Sequence, residues 1–426
     1  MKYFLRSLLG ILFIIISSTS IANIDRYLIK KDLTSMANSY LETSKGDINI
    51  SAISITVSSD KNTFINIYAG NSQHNAKGSP VNHKSLFQIG SVTKSFTSAL
   101  TLTLIDKGYL TLDDTVGKYF PYTYKNWSKV TIRQLLNMTS SIPNYTESIE
   151  LSNILSQNPM IYFTPRDLVN FAIHLEDEVE IGQGYNYTNT NYILLGMIID
   201  KVMQSSISFE NLMQNFIKKQ NLKNTYYMNN YSSDRSILNK LVSGYYNGDD
   251  DPALSKFRVA ESDPKCKKGQ HTKDMKCNNM SWGGAAGAIV SNTEDMAIWV
   301  RKLFTSTNYD KSYGILSKKR LHDLKKLVSM TNGKNLDITD SNNPAAYGLG
   351  IIQSYSELFK AHIWAHGGGT IGYQTMFYYF PKKLNSDTGE GLIVTFAINS
   401  SDDTKHNDFH LLQQQVISYL KEKGIF

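Results

Sequence analysis

Apolar and polar positions alternate with period two over Ile48 to Val57 and again over Thr63 to Ala69, around the polar stretch Ser58-Ser59-Asp60-Lys61-Asn62. This pattern predicts a β-hairpin, and a helix over Asp25 to Ser44 precedes it. From Ser91 to Lys107 the period turns helical, and Gly108 suits the position just past a helix end. Val92, Phe96, Ala99, Leu100, Leu102, Leu104 and Ile105 leave that helix little polar face, which predicts a buried central helix. The middle of the chain is mostly helical and loop-rich. Thr164-Pro165 opens one helix as N-cap and first residue. Asn191 to Met203 forms a strongly apolar helix, and Ser291-Asn292-Thr293-Glu294 is a capping box ahead of another. Strand periodicity returns over Tyr347 to Ser354, Tyr373 to Phe380 and Gly391 to Asn399, before a last helix over Asp408 to Lys423. The terminal strands can pair only if the two ends of the chain meet in one antiparallel sheet. The middle, approximately residues 110–340, is then an insertion.

The 426 residues are 41% hydrophobic with nine prolines and 27 glycines, which excludes a disordered or collagen-like chain and allows a large core. A net charge of +7 spread along the sequence does not suggest nucleic-acid binding. Lys2 and Arg6, the apolar run Leu8 to Ile16 and the small-x-small triplet Ser20-Ile21-Ala22 predict a secretory signal peptide over residues 1–22. The apolar run is short of the ~20 residues a membrane span needs, so export without a stable anchor is expected, to the periplasm or outside the cell. Residues 23–426 then form one domain. Cys266 and Cys277 sit in a lysine-rich loop, where an oxidising compartment favours a disulfide.

Three elements carry candidate chemistry. Gly90-Ser91-Val92-Thr93-Lys94 lies where a loop enters the buried helix, and Ser91 and Lys94 fall on one helical face. A lysine on so apolar a helix is partly desolvated, which lowers its pKa and suits it as a proton acceptor. Taken alone, the pair also fits an N-capping serine followed by a snorkelling lysine. Tyr187-Thr188-Asn189 precedes the apolar helix at Asn191 and fits turn chemistry equally well by itself. His366-Gly367-Gly368-Gly369-Thr370 lies between two C-terminal strand patterns, where glycines let a substrate backbone approach closely, or simply form a hairpin turn.

In this order the three elements resemble the serine β-lactamase and penicillin-binding-protein superfamily. Within it, S-x-x-K, Y-x-N and H-x-G are similar to the branch of class C β-lactamases, DD-carboxypeptidases, D-aminopeptidases and related esterases. The stretches Val130 to Ser140, Gly284 to Ser291 and Tyr347-Gly348-Leu349-Gly350 also look like the family. The resemblance runs from about Ile48 to the C-terminus. It implies an α/β fold of the β-lactamase/transpeptidase type, with an antiparallel sheet from both chain ends flanked by helices. It also implies Ser91 as acylated nucleophile, Lys94 as its base and Tyr187 as second acid/base. Asn189 would hold Lys94 and the substrate amide. His366 and Gly368 would line the substrate, with His366 contacting a carboxylate or relaying protons through Tyr187. The N–H groups of Ser91 and Gly369 would form the oxyanion hole.

The implied activity is hydrolysis of a peptide, amide or ester through an acyl-enzyme, of DD-carboxypeptidase, D-peptidase or esterase type, with a peptidoglycan stem peptide or a β-lactam among the candidate substrates. No cofactor and no metal are expected. Histidine in place of the K-T-G lysine argues against a dedicated class C-type β-lactamase, which stays as an alternative. A catalytically silent cell-wall or penicillin-binding protein is an alternative of another kind. His-Gly-Gly-Gly also occurs in lipase-type hydrolases, but the G-x-S-x-G elbow they need is missing from the sequence. His406 and His410 have metal-ligand spacing, with no third ligand apparent.

Overall fold

The computed structural model describes residues 25–44, 50–74, 78–175, 184–204, 206–229, 235–247, 274–401 and 409–425. The expected signal peptide, Cys266 and His406 lie outside them. Among the described residues no helix is long and apolar enough to cross a membrane.

The hairpin forms as β1 (Ala52–Ser58) and β2 (Phe64–Gly70). Its turn is closed by Asp60, whose Oδ1 accepts the N–H groups of Asn62 and Thr63 at 2.8 and 2.9 Å, an Asx turn. The C-terminal half supplies β3 (Leu327–Ser329), β4 (Asn335–Leu336), β5 (Ala345–Tyr347), β6 (Ile352–Ser356), β7 (Ala361–Thr370), β8 (Tyr373–Pro381) and β9 (Gly391–Ile398). These nine strands make one antiparallel sheet in the order β2-β1-β9-β8-β7-β6-β5-β3-β4. Ile53 of β1 pairs with Ile398 of β9, so the sheet is built from both chain ends, as expected.

Alternation along β1 divides the sheet between two layers of helices. Ile53, Ile55 and Val57 share an apolar cluster with helix α1 (residues 25–43) and the C-terminal helix. On the other face Ser54 and Thr56 hydrogen-bond the Thr293 hydroxyl at 2.7 and 2.9 Å. That face carries α2 (Thr93–Asp106), α3 (Thr190–Val202) and α4 (Thr293–Phe304); the C-terminal helix is α5 (Phe409–Glu422). Helix α2 is buried almost all round, and its polar side chains are paired accordingly. Thr97 donates to Ala285 O, Ser95 accepts from the Trp299 indole, and Ser98 meets the Tyr192 hydroxyl.

Three local expectations are corrected. Tyr347 to Ser354 is not one strand: Gly348 N–H donates to Ile351 O at 2.7 Å, closing a turn between β5 and β6. The glycine segment after His366 is not a turn but the second half of β7, paired along its length with β8. Helix α4 is capped by Asn292, which accepts the Asp295 N–H at 2.8 Å, because Ser291 ends a strand and its hydroxyl is held by Thr225.

Candidate active site

Ser91 sits in a single 3₁₀ turn, Gly90–Val92, that leads into α2. Gly90 has φ +48°, and a Cβ there would stand 2.6 Å from Gly369 O and 2.8 Å from Gly369 N. Only glycine permits that approach, which presses the Ser91 turn against β7 and brings Gly369 beside the serine. Strand β6 pairs with Ala361 to Ala365 alone, so His366 to Thr370 have a free edge among the described residues.

One turn of helix further on, Lys94 is fully buried. Its Nζ lies 2.9 Å from Ser91 Oγ, 2.7 Å from Asn189 Oδ1 and 3.1 Å from Ala286 O. The last two atoms can only accept, so they hold two N–H groups and leave the third position of the nitrogen for Ser91. Among the described residues no carboxylate is hydrogen-bonded to this lysine, and burial pushes its pKa well below the usual value. The lowered pKa suits Lys94 to accept the Ser91 proton.

Tyr187 comes from the segment ahead of α3, and its hydroxyl donates to Ser91 Oγ at 2.7 Å. Burial raises its pKa, the largest effect, so the phenol is protonated at rest. Lys94 Nζ stands 4.9 Å from the centre of its ring. Asn189 is itself held: its Nδ2 donates to Thr146 at 3.1 Å, and its backbone N–H donates to Asn144 Oδ1 at 3.0 Å.

Ser91, Lys94, Tyr187 and Asn189 are thus brought together in one hydrogen-bonded cluster. His366 and Gly368 stand differently from their sequence-derived roles. The His366 ring is 2% exposed, its Nδ1 is 2.6 Å from Gly367 O and its Nε2 is 3.0 Å from the Tyr347 hydroxyl. Burial and, next, the Lys94 charge hold its pKa down at about 4. The ring is a neutral, enclosed group rather than one open to a substrate carboxylate. Its centre is 6.5 Å from that of Tyr187, with no hydrogen bond between them. Gly368 is buried, and a Cβ there would lie 1.9 Å from Ile89 O, so this glycine serves packing. Gly369 is exposed, with nothing within 4 Å of an added Cβ.

Tyr347 received no individual role from the sequence. It is buried and packs edge-on against Tyr187 at 6.2 Å, as it does against His366 at 5.9 Å. Its signal was the Tyr347-Gly348-Leu349-Gly350 stretch, singled out in the sequence only for its likeness to the family. Asn144, Thr146 and the Ala286 carbonyl were missed as well, since each acts only through what it touches. Elsewhere, Cys277 is buried and disulfide-bonded. Among the described residues no three of His, Cys, Asp and Glu gather to hold a metal.

Known proteins resemble this chain in sequence and in fold. Protein flp of Staphylococcus aureus (strain COL) is 26% identical over 320 residues, covering 74% of this chain and 53% of its own length. Penicillin-binding protein 4* of Bacillus subtilis (strain 168) is 26% identical over 334 residues, covering 77% and 63%. The chain therefore spans little more than half the length of these curated relatives. Among solved structures, the D-amino acid amidase of Ochrobactrum anthropi SV3 superposes with a TM-score of 0.70 at 19% identity, covering 93% of this chain and 99% of its own. A D-stereospecific amidohydrolase from Streptomyces sp. gives 0.65 at 24% identity, covering 86% and 94%. At such identities these two show a shared fold. The Beta-lactamase family model matches residues 37–416, nearly the whole chain, and the protein belongs to that family.

Proposed function

We propose that the protein is an exported serine hydrolase that cleaves peptide, amide or ester bonds through an acyl-enzyme on Ser91. The observation that carries this is the double hydrogen bond on Ser91 Oγ, from a buried lysine at 2.9 Å and a tyrosine at 2.7 Å. Lys94 takes the Ser91 proton as Oγ bonds to the substrate carbonyl carbon, and the N–H groups of Ser91 and Gly369 receive the oxyanion. Collapse breaks the bond to the leaving group, which takes the Tyr187 proton. Water then adds to the acyl ester and gives a proton to the Tyr187 phenolate. The second collapse expels Ser91 Oγ, which recovers its proton from Lys94.

The likeness to a D-amino acid amidase and to a penicillin-binding protein puts D-amino acid amides and penicillins first among substrates to try. Purified protein is treated with a fluorescent phosphonate or penicillin, and the labelled peptide is identified by mass spectrometry. Label on Ser91, lost in Ser91→Ala, is expected; no label from either reagent, or label elsewhere, overturns the acyl-enzyme. For export, the first residue of protein recovered from outside the cytoplasm should be Asn23, and an intact residue 1–22 segment on membrane-bound protein would refute it.

A further inference from the structure

Ala286 holds Lys94 through its carbonyl, and the two residues just before it, Gly284 and Ala285, wall a separate cavity of about 150 Å³. Ile193 and Phe209 add apolar surface to that wall. Three oxygen-bearing side chains line the same space. Asp200 comes from the last turn of α3, Glu210 from the first turn of the helix Phe209–Lys219, and Tyr227 from the short strand Tyr226–Tyr227.

Among the described residues neither carboxylate takes part in an ion pair. Asp200 Oδ1 accepts the Phe209 N–H and Glu210 is hydrogen-bonded by Asn229, so both partners are neutral. Burial raises the pKa of both carboxyls, as happens to acids drawn from water without a counter-charge. Tyr227 is 7% exposed, and among the described residues its hydroxyl has no hydrogen-bond partner. After burial, the groups that act most on this phenol are Glu210, Asp200 and Tyr162, all on the cavity wall, so the hydroxyl stands on the cavity side. A buried hydroxyl without a partner is rare in a folded protein and calls for an explanation.

We propose that this cavity binds a small primary ammonium ion carried on a short apolar chain. An ammonium group has three N–H donors, and Asp200, Glu210 and Tyr227 offer three acceptors. It brings the positive charge that both carboxylates lack, while the apolar wall takes the chain. At about 150 Å³ the space suits a few carbons, well below the ~300 Å³ of a drug-sized pocket. A bare metal ion fits less well, because among the described residues no third carboxylate, histidine or cysteine joins the pair. Ser91, Lys94 and Tyr187 do not line this cavity, so the site does not depend on the acyl-enzyme reading.

The test is calorimetric titration of purified protein at pH 8 and fixed ionic strength, with butylammonium chloride as probe. Butylammonium should bind at one site with a Kd of about 1 mM. Butanol, which lacks the charge, and tetramethylammonium, which lacks N–H donors, should bind about tenfold more weakly or worse. Asp200→Asn keeps an acceptor for the Phe209 N–H and should weaken binding about tenfold, and Tyr227→Phe about threefold. Should Asp200→Asn fail to fold, Glu210→Gln removes the other charge and should act in the same direction. Ser91→Ala should bind like wild type, which separates this cavity from the reaction site. Absence of saturable binding, equal binding of butanol, or an affinity unmoved in the carboxylate variants overturns the proposal. So does loss of binding in Ser91→Ala, or calcium binding that excludes butylammonium, which would mark a metal site.

Discussion

Replacing Lys94 with methionine separates what the lysine does for the fold from what it does for the chemistry. The stem is conserved, and Asn189 Oδ1 and Ala286 O lose their donor. A buried acceptor left unpaired costs about 1–3 kcal/mol, so the two together cost about 2–6 kcal/mol. Against this stands the relief of no longer burying an amine. The native pKa of Lys94 is below its unfolded value of about 10.4, so the unfolded chain binds the proton more tightly. Wild type therefore gains stability as pH rises from the native pKa towards about 10.4, a dependence the methionine variant does not have. Lys94→Met should be about 1–3 kcal/mol less stable than wild type at pH 9, with a smaller gap at pH 6, in urea unfolding followed by fluorescence. Its phosphonate labelling rate should fall by about 10²–10⁴, the loss of a general base. Labelling at the wild-type rate would remove Lys94 as the base. A stability gap that closes as pH rises would refute its desolvation.

Three further outcomes can be measured. Tyr187→Phe keeps the ring packed on Tyr347 and removes the hydroxyl that donates to Ser91, so turnover should fall by about 10²–10⁴ with an unchanged melting temperature. Gly368→Ala drives a Cβ into Ile89 O and should lose about 1–3 kcal/mol in chemical denaturation, whereas Gly369→Ala, which meets open space, should unfold like wild type. Burial raises the Asp295 carboxyl to about 6, so its contribution to stability is fullest below about 3.9 and is lost as pH rises to about 6; Asp295→Asn should abolish that fall in the denaturation midpoint.

The sequence was most legible where one periodicity or one spacing decided the outcome. Helix α2 and β1 were readable because their apolar residues outnumber the alternatives, and Ser91 and Lys94 because one helical turn joins them. Strand β7 was illegible in its second half, since Gly367 to Gly369 have no side chains from which a period could be read. The turn between β5 and β6 was hidden for the opposite reason: Leu349 and Ile351 continue an apolar pattern that a local hydrogen bond interrupts. His366 was recognisable as a site residue but not as a neutral one. Its charge state is set by burial and, next, by Lys94, and only the fold supplies either.

The strand that begins the sheet and the strand that completes it are made at opposite ends of synthesis. Ser51 and Ala52 both donate to Asn399 Oδ1, the former across 348 residues of chain. The Ser91 helix is thus translated long before β7, the strand against which its first turn rests. A topology with such long-range pairing has a high contact order, which slows folding and lengthens exposure of unpaired strands. The described ends already touch, Tyr419 donating to Asp32 at 2.6 Å. A circular permutant that joins α5 to α1 through a short linker and opens the chain in the helical middle would turn the β1–β9 pairing into a nearby one, and should fold faster than the natural order.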